Sequence, residues 1–171
     1  DVLPCEPSST KKDLLAEITN SFEEMLGDNI AHSNHYGRIV NPNAMNRLMK
    51  YLDGDIYYGG KVNLEKKYIA PTILNNVKPE DEIMQEEIFG PILPVMEFEE
   101  IEQALSYINK NEKPLALYYF GKDNGADQVL RETSSGGACI NDTLLHVANH
   151  KLPFGGVGNS GMGKYHGKES F

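Results

Sequence analysis

The sequence has no tryptophan, only two cysteines, no apolar run of membrane-spanning length and no basic block. Sixteen Lys and Arg face 25 Asp and Glu, a net charge of -9, so nothing in the chain is built to neutralise a phosphate backbone. Nucleic acid is excluded as a partner on that ground. A bilayer crossing needs about 20 consecutive apolar residues, so no membrane partner is expected and the chain reads as soluble. Cys5 and Cys139 stand far apart, without a CxxC pair or a secretory leader ahead of them. That usage points to a reducing, cytoplasmic setting and argues against a disulfide. The chain opens on Asp1 rather than Met, followed by the turn-rich "LPCEPSS", and so reads as a piece of something longer. Internal repeats and low-complexity tracts are absent as well.

What is present has globular proportions: 171 residues, 40% hydrophobic and 24% charged, enough for one domain with a core. Ser8, Ser9 and Thr10 offer N-cap hydroxyls to a helix whose Leu14, Ile18, Phe22, Met25 and Leu26 recur at helical spacing until Gly27. Asn41-Pro42 opens a second helix, with Met45, Leu48, Met49 and Leu52 on a face suited to packing on a sheet. "DIYYGG" and "KYIAPTIL" read as short strands, with Pro71 marking an edge or a bend in the second. From Ile92 onward the pattern is β-α-β-α-β: "ILPVMEF", a helix on Ile101, Ala104, Leu105 and Ile108, "LALYYF", a helix around Ala126, Val129 and Leu130, and "ACIN". Strands separated by helices need crossovers and hence parallel pairing. The predicted fold is α/β, an open, mostly parallel twisted sheet with flanking helices, whose ligands gather beyond the carboxyl ends of the strands.

Several stretches carry candidate chemistry. Gly156-Val157-Gly158-Asn159-Ser160-Gly161 has the spacing of a dinucleotide phosphate loop. It lacks a good strand before it and room after it for the ribose-binding acid, so its glycines are expected to let the backbone turn and pass close to another surface. His146 and His150 are four apart, a zinc-helix spacing, but the segment reads as a loop, in which the histidines would be solvated. Cys139 is expected to be a buried structural thiol; a nucleophilic pair with His146 is the alternative. In "QEEIFGPILPV", Phe89 beside Gly90-Pro91 suggests an ordered turn that presents a carboxylate acceptor and a ring together, as a ribose and a flat heterocycle require.

In order and spacing, "MQEEIFGPILPV", "KPLALYYF", "ETSSGGACIND" and "LPFGGVGNSGMGKYHGKESF" resemble the aldehyde dehydrogenase superfamily, and the last block its class 3 branch. The resemblance implies an enzyme that oxidises aldehydes to acids with NAD or NADP in the intact parent, and a homo-oligomer. It implies that Glu87 holds the nicotinamide ribose hydroxyls with Phe89 beside it. Phe154 would line the aldehyde pocket, Asn141 would support the active site, and His146 would sit in a loop shaping the tunnel mouth. The family's nucleophile stands in a Gly-Gln-x-Cys block that, by alignment, falls before Asp1. Residues 1–171 are therefore expected to be part of a catalytic domain, without the nucleophile block or the coenzyme-binding domain, and inactive alone. The rival expectation is a non-catalytic binding or assembly module derived from that fold.

Overall fold

A computed structural model describes residues 3–5 and 9–170. The chain divides into two compact units, Asp1–Glu99 and Glu100–Phe171.

In the first unit, α1 (Ser9–Leu26) turns Leu14, Leu15, Ile18 and Phe22 to one side, where they meet Ile73, Leu93 and Val95. The expected cap at Ser8 lies outside the described residues. The helix stops where the Gly27 amide donates to the Glu23 carbonyl at 2.8 Å. Near its start, the buried Lys11 ammonium donates to Glu97 Oε2 at 2.8 Å and Asn76 Oδ1 at 3.1 Å. Then α2 (Pro42–Lys50) begins as its sequence predicts: proline opens the first turn, and Asn41 Oδ1 accepts the Ala44 amide hydrogen at 2.8 Å.

The strands of this unit are β1 (Leu3–Cys5), β2 (Asp55–Tyr58), β3 (Val62–Asn63), β4 (Tyr68–Ile69), β5 (Thr72–Asn75) and β6 (Ile92–Glu97). The main sheet runs β1-β6-β5-β2, with β6 parallel to both neighbours and β2 antiparallel to β5. Pro71 falls between β4 and β5, the bend its missing donor predicts. Strand alternation sorts the core: Ile73, Leu93 and Val95 face α1, while Leu74 and Ile92 join Met45 and Leu48 from the second helix and Tyr51 just after it. That second helix thus packs on the sheet as its apolar stripe requires.

The second unit contains α3 (Ile101–Lys110), β7 (Ala116–Tyr119), α4 (Asp123–Glu132), β8 (Gly137–Ile140) and α5 (Leu145–Ala148). The parallel pair β7–β8 aligns Leu117 with Ala138 and Tyr118 with Cys139. Leu117, Tyr119 and Ala138 pack with Leu105 and Val129 of the two longer helices. The α/β class with parallel pairing and flanking helices is as predicted. The strands from Ile92 onward do not all join one ladder, however. Among the described residues, β6 pairs with β1 and β5, and β7 pairs with β8.

The glycine-rich tail is not a phosphate loop. No strand precedes it, and Gly158–Ser160 is a single 3-10 turn. A side chain at Gly156 would collide with the Ser160 carbonyl, so the tail turns as its glycines were expected to allow, and the surface approached there is its own backbone.

Candidate functional site

In the first unit, the turn ahead of β6 presents two of the predicted residues. Ile88 is buried in the cluster beneath α2, while Glu87 and Phe89 on either side of it are exposed. The Phe89 side chain is 77% accessible, and its backbone has φ 44°, a left-handed conformation that a bulky residue rarely adopts. Anchoring the middle residue in the core leaves its two neighbours exposed on either side.

A residue that the sequence did not single out holds this turn. Arg47, on α2, donates through Nη2 to the Ile88 carbonyl at 2.5 Å and through Nη1 to the Glu87 carbonyl at 3.3 Å. The same Nη1 reaches Glu86 Oε1 and Tyr51 Oη, each at 3.2 Å, and the Tyr51 hydroxyl donates to Glu86 Oε1 at 2.7 Å. Hydrogen bonding from Tyr51, then from Arg47, holds the Glu86 carboxyl below the usual carboxylate range. Burial, then the bond to Glu86, raises the Tyr51 phenol. Glu86 therefore serves the clamp and leaves Glu87 as the outward acceptor.

In the second unit, His146 and Phe154 come together, with ring centroids 5.6 Å apart. Two expectations for His146 need correction. It lies in α5, a single helical turn, rather than in a loop, and it is buried rather than solvated. The turn is entered through Leu144 at φ 60°, a strained start that no hydrophobic period announces. Its ring stacks edgewise on Tyr118 at 5.6 Å, and Nδ1 lies 3.2 Å from Cys139 Sγ. The Cys139 thiol is free and buried, as expected, yet it is also paired with the imidazole. His150 instead meets His166, Nδ1 to Nε2 at 3.3 Å, so the two histidines at zinc-helix spacing are spent separately.

Asn141 follows β8 with φ 54°, and its amide closes a two-way clasp on Gly121: Oδ1 accepts the Gly121 amide hydrogen at 2.8 Å and Nδ2 donates to the Gly121 carbonyl at 3.0 Å. This ties the carboxyl ends of the two strands together. Phe154 forms an isolated antiparallel bridge with Tyr165, which folds the tail back onto the segment that carries it.

The profile of the aldehyde dehydrogenase family matches residues 7–171. The chain belongs to that family. Among its relatives, 4,4'-diaponeurosporen-aldehyde dehydrogenase of Staphylococcus aureus is 48% identical over 167 residues, covering 95% of this chain and 36% of the relative. The dimeric NADP-preferring aldehyde dehydrogenase of Bos taurus is 44% identical over 173 residues, covering all of this chain and 72% of that protein. Aldehyde dehydrogenase family 3 member A2 of Rattus norvegicus is 46% identical, and the chain spans 36% of its length. The last of these names carries the family 3 designation of the branch that the tail resembles. A solved structure of Staphylococcus aureus AldH in its substrate-bound state superposes with a TM-score of 0.90 at 48% identity, over 96% of this chain and 37% of that one. The chain thus spans little more than a third of most of the relatives it matches.

Proposed function

We propose that these residues furnish part of the catalytic domain of an NAD- or NADP-dependent aldehyde dehydrogenase, an oxidoreductase that converts aldehydes to carboxylic acids. The observation that carries the reading is the clamped turn that holds Glu87 and Phe89 outward on either side of buried Ile88. A carboxylate is an acceptor-only group suited to a ribose diol, and an exposed ring suits a flat heterocycle, so the turn fits a nicotinamide nucleotide. When bound, that coenzyme supplies the hydride acceptor.

In this reading Glu87 orients the ribose, and Phe89 bounds the space beside it. Phe154 and His146 wall the aldehyde, and Asn141 supports them by fixing the ends of the strands. The attacking thiolate, the oxyanion donors and the coenzyme's phosphate site are contributed by sequence other than these 171 residues. Taken alone, therefore, the 171 residues do not turn over. The whole enzyme is a cytoplasmic homo-oligomer whose substrate is a small-molecule aldehyde. A non-catalytic assembly module is the second reading, favoured by exposed apolar groups such as Phe120, Leu144, Leu145 and Tyr165 in the second unit.

Incubating the chain with NAD or NADP and a simple aldehyde is expected to give no reduced nicotinamide above background. Turnover that survives Cys139→Ala would overturn the inactivity. In an intact enzyme carrying this segment, Glu87→Gln is expected to raise the coenzyme KM by about tenfold or more, the worth of a charge-assisted hydrogen bond, with the aldehyde KM unchanged. A shift confined to the aldehyde KM would remove Glu87 from the ribose.

A further inference from the structure

On the β7–β8 ladder, the face turned away from the longer helices carries Gly137, Cys139 and the cross-strand Tyr118. His146 lies against this face. A Cβ on Gly137 would come within 2.6 Å of the imidazole Cδ2, so the bare backbone there is what lets the ring settle beside the strand. Tyr118 and Phe154 flank it, each at a centroid distance of 5.6 Å. Held in this way, Nδ1 stands 3.2 Å from Cys139 Sγ, with the thiol 8% and the histidine 9% accessible. With the ring hydrogen on Nε2, Nδ1 accepts the S–H hydrogen, which is the arrangement of a nucleophile with its base.

The pair also has somewhere to receive a reactant. Cys139 and His146 line a cleft of about 480 Å³ whose other walls include Ile140, Leu145, Ala148 and Leu152. A thiol that served only as packing would sit among apolar groups with no base and no opening. This one has both.

We propose that Cys139 is a covalent modification site for α,β-unsaturated carbonyl compounds that carry an apolar chain. The sulfur attacks the β-carbon, forming the S–C bond as the carbon–carbon π bond breaks. The thiol proton passes to His146 Nδ1 and, by way of water, a proton reaches the α-carbon. No oxidant, reductant or leaving group is involved. The apolar chain occupies the cleft against Ile140, Leu145 and Leu152, which gives selectivity for long electrophiles over short ones. The site is separate from the coenzyme reading, shares His146 with the proposed aldehyde wall, and uses only the second unit.

The test is labelling of the intact 171-residue chain at neutral pH with N-hexylmaleimide or N-methylmaleimide, quenched over time and mapped by peptide mass spectrometry. Cys139 in the folded chain is expected to react at least about tenfold faster than in the guanidinium-unfolded chain, a conservative share of what a positioned base contributes. The hexyl reagent should outpace the methyl one only when the chain is folded, and His146→Gln should remove the advantage of the fold. Protection of Cys139 by folding, label on Cys5 alone, equal rates for the two reagents, or a His146→Gln chain that reacts like the original would each overturn the proposal. The folded-versus-unfolded comparison needs no variant, so it decides even where His146→Gln fails to fold.

Discussion

Arg47 shows how one side chain can set the geometry of a site it does not enter. Its planar fork satisfies two consecutive carbonyls and a carboxylate at once, which a lysine point charge cannot do. Arg47→Ala should lower stability by about 1–3 kcal/mol, since it strips the donors from the Glu87 and Ile88 carbonyls, and Arg47→Lys should recover little of that. Urea unfolding midpoints of the two variants measure both. Glu86 adds a pH dependence of known sign. Its carboxyl is held low in the folded chain, first by Tyr51 and then by Arg47, so its contribution is present above the ordinary carboxylate range and disappears as pH falls through the lowered folded value. Urea midpoints taken from neutral to acid pH should therefore fall less steeply for Glu86→Gln than for the original chain; identical acid limbs would contradict the assignment. The sequence displayed the carboxylates and the ring of this turn but not its clamp. Arg47 is 39 positions from Glu86, and an arginine on the polar face of a helix reads as solvated until the fold brings the turn beneath it.

At the scale of elements, the sequence was readable wherever a period runs long enough to be counted. The 18-residue first helix, the cap at Asn41, the bend at Pro71 and the strand–helix alternation after Ile92 all lie where composition and spacing put them. What could not be read was local or dependent on pairing. The turn Leu145–Ala148 is too short to show a period, and the pairing of β7 with β8 in a ladder of their own leaves no mark in the strand–helix alternation. The seat of His146 belongs to this second kind, because it exists through a side chain missing from Gly137. Gly137→Ala places a methyl 2.6 Å from the ring, and the imidazole must move, at a cost typical of overpacking, about 1–3 kcal/mol. In an NMR comparison the His146 ring signals should shift strongly, while the methyls of Leu117 and Val129, on the opposite face of the strand pair, should stay near their original positions. Equal shifts on both faces would mean that the strands had moved and that the ring has no private contact with Gly137.

For the whole molecule, stability is expected to be uneven between the two units. Strands β5 and β6 are each paired on both edges, and both of their faces are packed, Ile73 and Val95 with Leu15 on one side and Leu74 and Ile92 with Met45 and Leu48 on the other. Among the described residues β7 and β8 pair only with each other, over a buried cluster of Leu105, Leu117 and Val129. Two strands alone are marginal, and regions with little buried apolar area open most readily. The second unit also leaves Phe120 62% accessible and Leu144 60% accessible. In native-state hydrogen exchange of the dilute chain, the amides of Ile73, Leu74 and Val95 should be the slowest, and those of Leu117 and Cys139 should exchange well before them. If self-association covers the exposed apolar groups, protection of β7–β8 should rise with chain concentration, in step with the mass seen by size-exclusion chromatography, while protection of β5–β6 stays constant. Protection of β7–β8 that equals that of β5–β6 at every concentration would show that the two units open together, and the physical argument from edge pairing and buried apolar area would then be wrong.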